Sequence, residues 1–291
     1  MQRTSPRAAL GAVGLVIVGL ICQDVGASFA VLLFPAVGPL GMIALRLGFS
    51  AVILLLVSRP SLRGRSRADW ITVVTFGVVL AAMNCLFYEA IGRIPLGAAV
   101  TIEFLGPLVL SVVVSRRPSS WIWAILAVIG VVLLGRGTLH DLDPIGIAFA
   151  LGAGVMWAAY ILMSSRTGRR FERLDGLAIA MTVGAILVIP LGVVSAGAAI
   201  LQPRILLIGV AVAAMSSAIP YALELMALRR IHAATLSILM SLSPAIAAGA
   251  GFILLGQGLT AIGVIAIALV IAASIGAVRS ASVREPAIVQ S

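Results

Sequence analysis

Residues 90–107 read AIGRIPLGAAVTIEFLGP, and residues 227–244, a shift of 137 positions, read ALRRIHAATLSILMSLSP. The stretches share Ala90 with Ala227, Arg93 with Arg230, Ile94 with Ile231, Leu105 with Leu242 and Pro107 with Pro244. Five identities in eighteen carry little weight in an apolar sequence of low complexity. The paired Arg-Ile turns and the paired prolines carry more, because a helix interior accepts proline only with a bend. The chain therefore reads as two similar halves.

Outward from these stretches, Arg, Pro and Asp clusters cut the sequence into apolar runs at approximately 10–33, 40–57, 70–91, 95–114, 121–138, 144–164, 176–196, 205–227, 232–254 and 259–278. Each is long enough to cross about 30 Å of hydrocarbon as a helix rising 1.5 Å per residue. Of 291 residues, 62% are hydrophobic and 10% charged, which excludes a soluble domain covered by polar surface. In lipid every backbone polar group must be satisfied, and helices do this within their own segment. The expected fold is an all-α integral membrane protein of ten transmembrane helices. Residues 1–138 hold spans one to five, residues 144–279 hold spans six to ten, and 280–291 form a cytoplasmic tail. An odd number of spans per half turns the second half upside down. Such inverted repeats enclose a central cavity and place a substrate near the bilayer midplane.

The net charge of +10 arises from 20 Arg, no Lys and 10 acidic residues. The arginines fall in short gaps without aromatic interleaving, so no nucleic-acid surface is built. Sixteen collect on one side, including Arg3, Arg7, Arg59, Arg63, Arg65, Arg67, Arg166, Arg169 and Arg170, while Arg93, Arg136 and Arg204 fall on the other. The positive-inside rule then puts both termini in the cytoplasm. The first 27 residues have the basic start and the small Val25-Gly26-Ala27 of a secretory signal. Cleavage there would remove a span and break the two-half pattern, so the segment is read as the first span. Cys22 and Cys85 lie inside apolar runs as small hydrophobes, with no disulfide framework.

A charged side chain at the membrane centre costs roughly 2.5–3.5 kcal/mol on insertion scales, so each one is a functional candidate. Asp24, Arg46, Glu103 and Glu224 fall within spans, and Glu89 lies near an outer end. Glu103 sits about 12 Å below the outer boundary of its span, and Asp24, Arg46 and Asn84 reach a similar level. Pro107 lacks the N–H that would return to the Glu103 carbonyl, so a bend is expected there, with carboxylate and free carbonyl facing one cavity. Glu103 and Asp24 suit a substrate ammonium or a proton. A buried Arg46–Glu103 ion pair of purely structural role is the alternative. Arg46 matches a substrate carboxylate bidentately. Gln23, Asn84, Tyr88, Tyr160, Ser216, Ser217, Ser241 and Ser243 add neutral donors, and Trp157 lies near mid-span; for the aromatics core packing competes with substrate contact, and for the serines helix–helix bonding does.

Pro107, Pro220 and Pro244 are candidate hinges. Glu224, beside Arg229 and Arg230, is a candidate gate or a closing ion pair of the inner face. Ala268, Ala272 and Gly276 form a small-residue stripe for close packing, within the chain or in a homodimer. His140 and His232 lie at opposite faces, and no phosphate-binding loop or nucleophile elbow occurs. The sequence thus implies no metal, no cofactor and no enzyme.

Several segments together resemble the drug/metabolite transporter superfamily, in particular the threonine and homoserine exporter branch of the EamA-type proteins. They are Gly26-Ala27-Ser28 with Phe34-Pro35, Ala44-Leu45-Arg46-Leu47, Met83-Asn84 through Phe87-Tyr88, Pro95-Leu96-Gly97, Glu103-Phe104 with Gly106-Pro107-Leu108, and Ser115-Arg116-Arg117-Pro118. The second half adds Ala150-Leu151-Gly152-Ala153-Gly154, Trp157-Ala158 with Tyr160-Ile161-Leu162, Pro220-Tyr221 with Leu223-Glu224, and Leu239-Met240-Ser241 with Pro244-Ala245. The resemblance spans nearly the whole chain and implies a bacterial inner-membrane exporter of small amino acids or related metabolites, driven by the proton gradient. By position it carries over Arg46, Asn84, Glu103, Trp157, Tyr160 and Glu224. The chain departs from the pattern at Ser243 and Gln257, where relatives often carry glutamates, and at Asp24, where a small residue is expected. A drug or cationic-metabolite exporter is the alternative within transport, and a non-transporting scaffold or sensor the alternative outside it.

Overall fold

The structure is a computed structural model that describes residues 6–115, 120–138, 142–172, 174–228 and 233–282. Every regular element among them is helical. The first, α1 (Pro6–Ser58), is two helices joined end to end, broken only at Gly38 with φ 68° and ψ 171°. Pro35 and Pro39 flank the break, and the left-handed φ is one that only glycine adopts at low cost. The sequence alone suggests a longer connection, over 34–39. Helix persists on both sides because proline is tolerated in a first turn, where its missing N–H has no partner to lose.

Next come α2 (Arg67–Ile91), α3 (Leu96–Glu103), α4 (Leu105–Ser115), α5 (Ser120–Thr138), α6 (Pro144–Gly168) and α7 (Asp175–Ala196). A 3-10 turn (Gly197–Leu201) leads to α8 (Pro203–Ala213), a π-helical turn (Ala214–Ala218) and α9 (Ile219–Leu228). The chain closes with α10 (Ala233–Met240), α11 (Ser243–Leu255) and α12 (Ala261–Ser282). A capping box of Ser66 and Asp69 starts α2, and Asp143 accepts from the Ile145 N–H to start α6, with Pro144 in its first turn. Both α3 and α10 stop after eight residues, at Glu103 and Met240, just before the breaks that precede Pro107 and Pro244.

Among the described residues, six stretches are long and apolar enough to cross a membrane: Gly11–Ser58, Arg67–Ile91, Leu96–Val114, Pro144–Gly168, Asp175–Leu201 and Ile238–Leu255. Trp121–Leu133, Pro203–Ser217 and Ala261–Ala277 are shorter apolar helices. Large apolar side chains such as Val194, Leu207 and Ile253 are exposed over the periphery, as hydrocarbon solvent requires and water disfavours.

Inside, α1 packs most extensively on α7, α2 on α6 and α7, α3 on α11, and α5 on α12. Close approach comes from small residues. A Cβ on Gly106 would lie 1.8 Å from the Gly154 carbonyl oxygen, so the α3–α4 break and α6 meet backbone to backbone. The small-residue stripe on α12 divides: Gly276 is filled by Trp123 of α5, whereas Ala268 and Ala272 are exposed. Its buried part thus serves packing within the chain, because α12 turns Ala266, Val270, Ala273 and Gly276 inward together.

Candidate functional site

The helix breaks surround a cavity of about 160 Å³ in the interior. Gln23 and Asp24 enter it from the first part of α1 and Arg46 from the second, beyond the Gly38 break. Asn84 comes from α2, Glu103 from the last position of α3, Trp157 and Tyr160 from α6, and Ser243 from the first position of α11. Eight of the ten side chains expected around a substrate therefore line one space.

Tyr88 and Ser241 do not line it. Tyr88 is fully buried, its ring 5.9 Å from Phe34 and 6.2 Å from Phe87 between centroids, and it backs Arg46 instead. Ser241 is buried in the break between α10 and α11. Glu224 belongs to α9, but its side chain lies outside the described residues. His140 and His232 also lie outside them, and no cluster of metal-ligating side chains occurs among those described.

Arg46 is held from two sides. Its Nη1 donates to the Tyr88 hydroxyl at 3.4 Å, its Nη2 donates to the Ser216 carbonyl at 3.2 Å, and its guanidinium lies 5.4 Å from the Tyr88 ring centroid. Ser216 is in the π-helical turn, four residues before Pro220. Pro220 has no N–H to give that carbonyl, and Arg46 of another helix donates to it. No ion pair joins Arg46 to Glu103 among the described residues, since the guanidinium is already directed to Tyr88 and Ser216. The Arg46 Nε and the Asp24 Oδ2 are both buried without a hydrogen-bond partner. Buried polar atoms are normally satisfied, so two orphans of opposite character lining one cavity mark a place for a ligand.

The Glu103 carboxylate lines the cavity, but its carbonyl does not face the same way. The carbonyl oxygen abuts Gly154 of α6, where a Cβ would come within 2.7 Å. The helix breaks between α3 and α4 as the sequence implies, and there the Glu103 carbonyl faces the α6 backbone. Asn84 donates through Nδ2 to the Leu80 carbonyl at 2.8 Å, leaving its oxygen for the cavity. Trp157 stands edge-on to Phe104, 5.2 Å away, which fixes it on the same break.

Apolar lining was the part missed from sequence: Met83 and Phe87 on α2, Met181 on α7 and Met240 at the end of α10. Met83, Asn84 and Phe87 fall on one turn, and that spacing around a buried polar residue was the available signal.

Polar contacts link the helices at both ends of the bundle. At the basic end, Arg170 pairs with Asp69 at 2.9 Å, Arg65 pairs with Asp175 at 3.7 Å while lying over Phe171, and Ser58 donates to Asp175. At the other end, the Leu96 N–H donates to Gln257 Oε1 at 3.0 Å, and Arg93 bridges Glu89 and Asp143.

Residues 144–279 match the sequence profile of the EamA-like transporter family. Threonine/homoserine exporter RhtA of Salmonella typhimurium strain SL1344 is 42% identical over 268 residues, 91% of this chain and 90% of the relative. Its Escherichia coli K12 counterpart is 40% identical over 265 residues, 90% of this chain and 89% of its own. A solved crystal structure superposes with a TM-score of 0.58 at 18% identity, covering 94% of this chain and 98% of the other, a likeness of fold alone.

Proposed function

The chain belongs to the EamA-like transporter family, and from that premise we propose that it exports small α-amino acids such as threonine and homoserine across the bacterial plasma membrane. The observation that carries this reading is the pair of orphaned buried atoms, Asp24 Oδ2 and Arg46 Nε, on one cavity. A zwitterion brings an ammonium for the first and a carboxylate for the second. Substrate enters from the cytoplasm, its carboxylate meets Arg46 and its ammonium meets Asp24 or Glu103. Proton entry from outside onto these carboxylates then releases it and resets the carrier. Gln23, Asn84, Trp157, Tyr160 and Ser243 shape the rest of the site. The relatives' printed name, an exporter of threonine and homoserine, supports the substrate class.

The architecture we infer is ten spans in two inverted halves, with the basic end in the cytoplasm. Its support is the equal length of α3 and α10 at a spacing of 137 residues, with Pro107 and Pro244 at matching distances beyond them. The breaks at Pro107, Pro220 and Pro244 are the hinges of alternating access, and Glu224 near the inner end is a gate. A drug exporter is disfavoured by size, since drug-sized ligands occupy roughly 300–1,000 Å³ and this cavity holds about 160 Å³.

Efflux of labelled threonine and of a lipophilic cation from cells expressing Arg46→Gln and Glu103→Gln tests the assignment. Arg46→Gln should lower threonine export by roughly 30-fold or more, the cost of losing one side of a buried charge pair. Glu103→Gln should weaken its dependence on the pH gradient, leaving Asp24 as the remaining proton acceptor. Threonine export left intact by Arg46→Gln overturns the carboxylate clamp, and cation efflux surviving while threonine export never occurs favours the drug-exporter reading.

A further inference from the structure

At the basic end, outside the central cavity, Thr72, Arg166, Arg169 and Arg170 line a surface basin of about 640 Å³. Thr72 belongs to the first turns of α2, and the arginines to the last turn of α6 and just beyond it; the two helices pack on each other. One of the three charges is partly matched, because Arg170 pairs with Asp69, and Arg169 donates to the neutral Ser165 hydroxyl at 3.2 Å. Arg166 and Arg169 are exposed, so the basin is a concave surface of net positive charge.

The helix face beneath it is apolar. Leu151, Val155 and Leu162 are exposed on α6 at spacings that continue to Arg166 and Arg169, and Ile71, Val74 and Val78 are exposed on α2. Trp70, partly exposed, sits at the same level as the basin, where indole rings settle at the membrane boundary. A free anion would use the arginines alone. An acidic peptide would meet hydrocarbon-facing side chains directly below its charges. A molecule with a phosphate head and acyl tails satisfies both parts.

We propose that the Thr72–Arg166–Arg169–Arg170 basin binds the headgroup of an anionic phospholipid, with an acyl chain along the exposed α2–α6 seam. The proposal is independent of the transported substrate and requires only that α2 and α6 cross a bilayer. Basic pockets between helices at the cytoplasmic boundary are suited to such headgroups through charge-assisted hydrogen bonds.

The test is thermal unfolding of the purified full-length protein in neutral detergent, titrated with phosphatidylglycerol, with phosphatidylcholine of the same acyl chains, and with inorganic phosphate. Phosphatidylglycerol should stabilise saturably and the other two should not. Arg166→Gln/Arg169→Gln should weaken its apparent affinity roughly tenfold or more, with the ligand-free midpoint close to wild type. Arg63→Gln, a change in the neighbouring basic loop outside the basin, should leave the affinity unchanged. Equal stabilisation by phosphatidylcholine, reproduction by phosphate alone, an unaltered double variant, or an equal loss in Arg63→Gln each overturns the site.

Discussion

Charges in hydrocarbon are conspicuous because their cost is high, and that is why Asp24, Arg46 and Glu103 are legible from sequence while the rest of their surroundings is not. What the sequence leaves open is the rotation of each helix about its axis, set only by packing against neighbours. Tyr88 thus turns behind Arg46 instead of into the cavity, and the Glu103 carbonyl turns to Gly154. A neighbouring contact between the same two segments makes a sharp prediction. Gly106→Ala places a Cβ 1.8 Å from the Gly154 carbonyl oxygen, and backbone on both sides has nowhere to go. The change should lower stability by about 2–3 kcal/mol, read as a lower thermal midpoint in detergent. Gly152→Ala on α6 meets only the Leu86 side chain at 3.4 Å and should unfold close to wild type.

Where helices stop was only partly written in the sequence. Prolines announce a break but not its form: Pro39 follows a one-residue kink, Pro107 a single turn residue, and Pro220 a π-helical turn. In the last form the Ser216 carbonyl, which Pro220 has no N–H to serve, accepts from Arg46 of another helix. No local pattern around Pro220 contains that information. Pro220→Ala restores an N–H able to compete with Arg46 for the Ser216 carbonyl and favours a regular helix. The variant should unfold at a higher temperature, because an interior proline costs roughly 3 kcal/mol, while threonine efflux falls because Arg46 loses one of its two anchors. A variant that is both unaltered in stability and fully active would show that the π-helical turn owes nothing to the proline.

For the whole molecule, the all-helical build and the apolar exterior are readable, but the pairing of helices is not. Lipid-facing and helix-facing surfaces are both apolar, so hydropathy does not say that α5 meets α12 or that α3 meets α11. Orientation is different, because the proposed one rests on the arginine count and is open to direct labelling. In a variant with Cys22 and Cys85 replaced by serine, Ser61→Cys at the basic end should react with an impermeant thiol reagent only after the cells are opened. Gly258→Cys, at the end where Gln257 meets Leu96, should react in intact cells. The opposite pattern would invert the proposed topology and with it the direction of export.

The two eight-residue helices have a last consequence. Their final residues, Glu103 and Met240, both line the cavity from corresponding places 137 residues apart, yet one is a carboxylate and the other a thioether. A cage with matching chemistry on both walls would accept a ligand head-first or tail-first with equal ease. Here only one pose puts a cationic group against the acid and an uncharged group against the soft, polarisable sulfur. Under the proposed function, the difference between two otherwise corresponding residues sets the heading of the bound molecule and gives the site a front and a back.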